Sequence, residues 1–232
     1  EPVPSRFPNF NTMNASIPLS LQAIIDDCGL PVQRTEQVNG GDINSAYCLH
    51  TRSGKYFLKV NQAAIYPDMF LKEAAGLSSL NKSKTVAVPE IIKTGIAGEQ
   101  QYLLLEWIEK GKPAKNFWDT FGQQLALLHQ QPQEYFGWTT DNYIGRLKQS
   151  NKRHGSWSDF YTECRIMPLV ELLFNKQLFS RSDINAAGHF CNQLDTLFPV
   201  EHPALLHGDL WSGNYSVTPD GGPIFFDPAV YY

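Results

Sequence analysis

Cysteine is scarce in this chain: four in 232 residues, at Cys28, Cys48, Cys164 and Cys191. They form no C-x-x-C pair and no metal-ligand spacing, so they read as reduced thiols of a cytoplasmic protein, packed as small hydrophobes. Long apolar runs are missing too. No stretch approaches the roughly eighteen apolar residues of a membrane span, so no membrane partner is expected. Basic residues are outnumbered, 19 Lys and Arg against 23 Asp and Glu, for a net charge of -4. That balance argues against nucleic acid as the main partner. Internal repeats, low-complexity tracts and a signal-peptide pattern are absent as well. Glu1 to Thr12 is rich in Pro and Asn, so residues 1–16 read as an N-terminal extension, with Met13 nearer a natural start. What is present is a hydrophobic content of 42%, enough for a real core. The length suits one large domain or two small lobes sharing a cleft.

The most informative stretch is Leu206-His207-Gly208-Asp209-Leu210-Trp211-Ser212-Gly213-Asn214. A phosphoryl-transfer loop needs a carboxylate beside the acceptor hydroxyl and, five residues on, an amide oxygen for Mg²⁺, as in H-R-D-x-x-x-x-N. Asp209 and Asn214 have that spacing. A hairpin should follow: Tyr215 to Val217 as a strand, Pro219 to Gly222 as the turn, and Ile224 to Phe226 as the return. Asp227 ends it, where a second metal carboxylate belongs. A His-Gly-Asp turn is common and means little alone, and His207 reads as a structural tie rather than an acid or base.

Upstream, Ser16 to Cys28 reads as a helix with an apolar stripe of Leu21, Ile24 and Ile25. Strands follow at Val32 to Val38, Ala46 to Thr51 and Lys55 to Val60. The first two flank Asn39-Gly40-Gly41-Asp42-Ile43-Asn44-Ser45. Strand, glycine loop, strand is how a kinase lid covers ATP phosphates, and Gly41, Asn44 and Ser45 are its candidate contacts. The loop lacks G-x-G-x-x-G and taken alone is an ordinary hairpin. Lys59 sits in the apolar run Tyr56-Phe57-Leu58-Lys59-Val60, sharing a face with Phe57 and Asn61. A buried lysine needs an anionic partner. Either it grips ATP phosphates, or it snorkels from a sheet edge. Met69 to Leu80 reads as a helix whose only acid, Glu73, is placed to pair with Lys59; a solvated surface glutamate is the plain alternative.

Strands are expected at Glu90 to Thr94 and Gln101 to Trp107, the latter too apolar to be buried on one side only. The polar segment Glu109 to Pro113 reads as a hinge between lobes. Adenine would be held there by the Glu106 carbonyl and the Ile108 N–H, with Leu105 at the back of the pocket. The rest reads as helical: Phe117 to about His129, a helix from Trp157 kinked or restarted at Pro168, and one capped by Ser182 or Asp183 that carries Ile184, Ala187, Cys191, Leu194 and Phe198. Asp141-Asn142-Tyr143-Ile144-Gly145 reads as a turn-rich loop. The fold class expected is α+β and bilobal. Residues 17–108 would form a sheet lobe with one main helix, and residues 109–232 a mostly helical lobe holding the metal site.

The chain resembles the fructosamine/ketosamine kinases, which are similar in fold to the aminoglycoside phosphotransferases. The Leu206 to Asn214 loop carries the resemblance, with Phe226-Asp227-Pro228-Ala229-Val230-Tyr231-Tyr232, Phe70-Leu71-Lys72-Glu73-Ala74-Ala75-Gly76-Leu77 and Asp141 to Gly145. It covers roughly residues 17 to 232. It implies ATP- and Mg²⁺-dependent phosphorylation of the 3-hydroxyl of a ketosamine, a sugar joined to an amine by glycation, after which the adduct breaks down and the amine is freed. In that reading Asp209 deprotonates the hydroxyl, Asn214 and Asp227 hold Mg²⁺, Lys59 positions ATP and Glu73 holds Lys59. Trp211 either packs against the sugar or is a core aromatic. The loop cysteine of some family members has no counterpart, since Asp42, Asn44 and Ser45 stand there. The family also continues into further C-terminal helices, so the resemblance implies a second lobe without them, able to bind Mg·ATP but poor in transfer. The alternatives are a kinase for an aminoglycoside, choline or another sugar, and a nucleotide-binding scaffold with little turnover.

Overall fold

The computed structural model describes residues 17–38 and 43–232. Helix α1 (Leu19–Cys28) precedes three strands, β1 (Val32–Val38), β2 (Ser45–Thr51) and β3 (Lys55–Gln62). Helix α2 (Met69–Ser83) is followed by β4 (Ile91–Ala97) and β5 (Gln100–Glu106). The five strands form one antiparallel sheet in the order β1-β2-β3-β5-β4.

Alternation along the strands decides what lies on each side. Leu58, Val60, Tyr102 and Leu104 face α1, packing with Leu21, Ile24 and Ile25. Phe57, Leu103 and Leu105 face α2, packing with Phe70 and Leu77. The run Gln101 to Leu105 is therefore buried on both faces, as its composition requires. Leu105 lies inside the α2 cluster.

The second half begins with α3 (Phe117–Leu128) and the hairpin β6 (Asn142–Ile144) and β7 (Leu147–Gln149). The loop expected around Asp141 to Gly145 is this hairpin. Gln149 Nε2 donates to Asn142 Oδ1 at 3.1 Å, and Asn142 Nδ2 donates to the Val230 carbonyl at 2.8 Å. Then come α4 (Trp157–Tyr161), one π-helical turn at Thr162–Ile166, and α5 (Met167–Asn175). Pro168 sits in the first turn of α5, where its missing N–H costs little, and the extra residue of the π turn absorbs the restart.

Helix α6 (Arg181–Cys191) corrects the expected cap. Ser180, not Ser182 or Asp183, is the N-cap, and Asp183 completes a capping box by accepting the Ser180 N–H at 2.8 Å. The helix also stops at Cys191, and Leu194 and Phe198 belong to or flank a separate short α7 (Leu194–Leu197). Apolar spacing runs through the break, so periodicity could not mark it. Strands β8 (Tyr215–Val217) and β9 (Pro223–Phe225) form the hairpin before Asp227. A cluster of Leu80, Val86, Leu128, Leu205, Phe225 and Val230 joins the end of α2 to this helical half.

Candidate active site

Lys59 projects from β3 onto the α2 face of the sheet, with only 3% of its side chain exposed. Its Nζ donates to Glu73 Oε1 at 2.8 Å and, across the cleft, to Asp227 Oδ1. Burial works against the Lys59 ammonium, but the Asp227 and Glu73 carboxylates outweigh it and hold the pKa above the usual lysine value. Glu73, 11% exposed, is pushed up by burial against the pull of Lys59, with Asp227 competing for the same ammonium. The snorkelling lysine and the solvated glutamate are both excluded by this geometry.

The Leu206 to Asn214 loop is stitched to the segment after β9. Leu206 N–H donates to the Tyr231 carbonyl and Ala229 N–H to the His207 carbonyl, each at 2.9 Å. Just after these bonds, Gly208 has φ of 82°, and a Cβ there would meet the Ala229 carbonyl oxygen at 1.9 Å. Only glycine fits. His207 is buried, and desolvation lowers its pKa to about 4 against weaker upward pulls from the Phe226 carbonyl and Asp227. Its Nε2 lies 3.1 Å from the Phe226 carbonyl, and its Nδ1 accepts the Asp209 N–H at 3.4 Å. Both contacts are satisfied by one neutral tautomer, with the proton on Nε2. His207 is thus a tie between the loop and the β9 end, as expected.

Asn214 Nδ2 donates to the Asp209 carbonyl at 2.8 Å and to Asp209 Oδ2 at 3.1 Å. Burial raises the Asp209 pKa and Asp227 adds to it, against the hydrogen bond from Asn214. Asp227 itself has φ of 56°, a left-handed conformation that aspartate tolerates better than most residues and that often marks a functional site.

These side chains meet in one cleft of about 260 Å³. Asn44, Lys59, Glu73, Asp209, Asn214 and Asp227 line it, as does Trp211, which is 61% exposed and so is no core aromatic. Asn44 is held by Asn61, which donates to its Oδ1 at 2.8 Å. Gly41 lies outside the described residues. Ser45, Glu106 and Ile108 are not among the residues that line the cleft. Ser45 pairs with Val60 in the sheet, and the Glu106 carboxylate accepts the Glu90 N–H at 2.8 Å. Met69, Lys72, Asn142 and Tyr143 also line the cleft. Sequence reasoning gave them no role, although Lys72, Asn142 and Tyr143 fall within the two stretches Phe70 to Leu77 and Asp141 to Gly145.

The oxygen donors suit a hard cation. Asn214 donates through its nitrogen, which turns its amide oxygen free of hydrogen bonds from the described residues, and one Asp227 oxygen is left beyond the Lys59 contact. Among the described residues no three His, Cys, Asp or Glu side chains cluster into a closed cage. Mg²⁺ is commonly held in this way, by one or two protein oxygens with waters and substrate phosphates completing its shell.

Known proteins are similar to this chain along most of its length. A family model described as fructosamine kinase matches residues 19–232. A "Probable ketoamine kinase" of Synechocystis is 38% identical over 222 residues, covering 91% of this chain and 72% of that protein. A chloroplastic "Protein-ribulosamine 3-kinase" of Oryza sativa subsp. indica is 36% identical over 201 residues, 84% of this chain and 58% of its own length. Among solved structures, a candidate fructosamine-3-kinase of Haemophilus somnus superposes with a TM-score of 0.79 at 27% identity, covering 90% of this chain and 71% of that one. A thermostable mutant of the aminoglycoside phosphotransferase APH(4)-Ia, at 14% identity and a TM-score of 0.60, shares the fold alone, over 90% of this chain and 71% of its own. With a family model spanning nearly all of its described residues and relatives above one-third identity, this kinase-fold chain belongs to the fructosamine kinase family.

Proposed function

We propose that the chain transfers the γ-phosphoryl group of ATP, with Mg²⁺, to the 3-hydroxyl of a ketosamine. The observation that carries this reading is the joining of Lys59 and Glu73 on one side of the cleft with Asp209, Asn214 and Asp227 on the other, through the Lys59–Asp227 ion pair. Asp209 takes the proton of the acceptor hydroxyl as that oxygen bonds to the γ-phosphorus. The bond from that phosphorus to the β-phosphate oxygen breaks, leaving ADP and a ketosamine 3-phosphate. A raised carboxyl pKa makes Asp209 a better base, and its hydrogen bond from Asn214 fixes its aim. Lys59, held by Glu73, orients the nucleotide phosphates. Asn214 and Asp227 would hold Mg²⁺, which when bound supplies charge neutralisation on the phosphate oxygens.

In this reading residues 17–108 bind nucleotide, with Gly41, Asn44 and Ser45 in the lid, and residues 109–232 carry the metal and acceptor side. Adenine would rest on the Glu106 carbonyl and Ile108 N–H, which requires the nucleotide to run past the cleft along the end of β5. Trp211 would pack against the sugar. The ketone lets a proton leave carbon 1, the resulting enaminol expels inorganic phosphate from carbon 3, and water hydrolyses the imine that remains to the free amine and a deoxy-dicarbonyl sugar. The four unpaired thiols support a reducing, cytoplasmic setting.

The test is a coupled ADP-release assay with ribulosamine, fructosamine and aminoglycoside acceptors, with the phosphorylated carbon of any product identified by NMR. Turnover confined to the ketosamines, with phosphate on carbon 3, is the expected result. Turnover only with aminoglycosides, or phosphate on another hydroxyl, would sink the reading.

A further inference from the structure

Of the described residues lining the cleft, two are cationic, Lys59 and Lys72, and they differ in how they are held. Lys59 is fully engaged by two carboxylates. Lys72, one residue before Glu73 on α2, makes no ion pair with any described residue. Its Nζ lies over the Tyr143 ring, 5.0 Å from the centroid. A partly exposed cation–π contact is worth only about 0.5–1 kcal/mol, too little to hold the ammonium against a carboxylate.

The ring beneath it is fixed from three sides. The Tyr143 hydroxyl donates to the Pro67 carbonyl at 3.0 Å, its ring meets Tyr66 edge-on at 6.3 Å, and β6 is anchored through Asn142 to Val230. Tyr143 therefore presents Lys72 at a fixed place on the cleft wall, in the same cavity as Asp209 and the exposed Trp211. Apart from Lys59, which is held by Glu73 and Asp227, the other ionised groups lining that cavity are carboxylates, so an anionic substituent on the acceptor has Lys72 as its one unpaired cation among the described lining residues.

We propose that Lys72, propped by Tyr143, selects acceptors that carry a carboxylate beside the glycated amine, such as the adduct of a free amino acid on its α-amine, over adducts of amines without one. The inference rests on the ketosamine reading above. A sugar joined to the α-nitrogen of an amino acid has its carboxylate two bonds from that nitrogen. A sugar joined to a lysine side chain within a protein has none nearby.

The experiment compares the ketosamine of glycine with that of glycinamide, in the wild type and in Lys72→Met and Lys72→Arg. A charge-assisted hydrogen bond predicts a wild-type kcat/KM about 10- to 100-fold higher for the glycine adduct. Lys72→Met should bring the two acceptors within about threefold by weakening the glycine adduct alone, and Lys72→Arg should restore the preference. The KM for ATP should stay unchanged in both variants. Equal wild-type rates on the two adducts, an equal loss on both in Lys72→Met, or a raised KM for ATP overturns the inference and leaves the ketosamine reading standing. The last outcome would assign Lys72 to the nucleotide phosphates. Failure of both adducts to turn over, with ATP still bound, overturns the ketosamine reading and this inference with it.

Discussion

Single side chains here are tuned by their neighbours. Asp209 is a carboxylate whose burial and whose neighbour Asp227 raise its pKa, which suits a base that must accept a proton and later release it. Asp209→Asn keeps the hydrogen-bonding shape but cannot take the hydroxyl proton. We expect kcat to fall by about 10²–10⁴-fold with nucleotide affinity retained. In the wild type, kcat/KM should fall with acid through a pKa above the ordinary carboxylate value, because only the ionised form works. A variant turning over at near wild-type rate would remove Asp209 from the chemistry. His207 makes a prediction about stability instead. Its ordinary pKa of 6.5 falls to about 4 in the fold, so below pH 6.5 the unfolded chain takes up a proton that the folded chain refuses. The neutral ring's contribution is complete above about pH 6.5 and is lost as pH falls towards 4, by about 3 kcal/mol in all. Urea midpoints of wild type and His207→Gln should converge as pH drops from 7.5 to 5. Parallel curves would show that His207 is not the group being titrated.

Elements carry the site because short connections force them together. The Leu206 to Asn214 loop depends on Gly208, where a side chain would strike the Ala229 carbonyl and where φ is positive. Gly208→Ala should destabilise the protein by more than about 1 kcal/mol and abolish turnover together. Ser180→Ala, which removes only the cap of the distant α6, should cost about 1 kcal/mol and leave kcat unchanged. A thermal melt and a rate assay on the pair separate a damaged loop from a merely weakened fold. The same contrast shows what a sequence can reveal. Lys59, Glu73, Asp209, Asn214 and Asp227 were legible because kinase chemistry demands those residue types in that order. Strands β2, β3 and β5 were legible because their apolar runs are short and bounded by turns. The Ser180 cap was missed because Ser182 and Asp183 are equally good cap residues, and the choice depends on a capping box two residues earlier. The break after Cys191 was invisible because Leu194 and Phe198 keep helical spacing across it. Lys72 and Tyr143 were given no role because α2 and the β6 hairpin are far apart in sequence, and only the fold lays one against the other.

At the scale of the whole molecule, Lys59 is a clasp. It stands on the central strand of the sheet, is held by α2 through Glu73, and reaches Asp227 in the segment that follows the β8–β9 hairpin. The two halves also share the cluster of Leu80, Leu128, Phe225 and Val230, so their union does not rest on the ion pair. Removing Asp227 should therefore leave the fold intact. Lys59 keeps Glu73 at 2.8 Å and is not stranded, and the Asp227 side chain is 41% exposed, so the lost pair is partly screened. What Asp227→Ala should lose is the response to Mg·ATP. Ligand at about a hundred times its Kd stabilises a protein by about 2.7 kcal/mol, or roughly 5–10 °C for a chain of this size. The wild type should show a melting shift of that order with Mg·ATP. The variant should show little, while adenosine, which brings no phosphate for the metal, binds both equally by calorimetry. If adenosine binding weakens in step with Mg·ATP, the substitution has damaged the cleft as a whole. If the Mg·ATP shift survives, Asp227 is not the metal carboxylate, and its pairing with Lys59 is a structural clasp and nothing more.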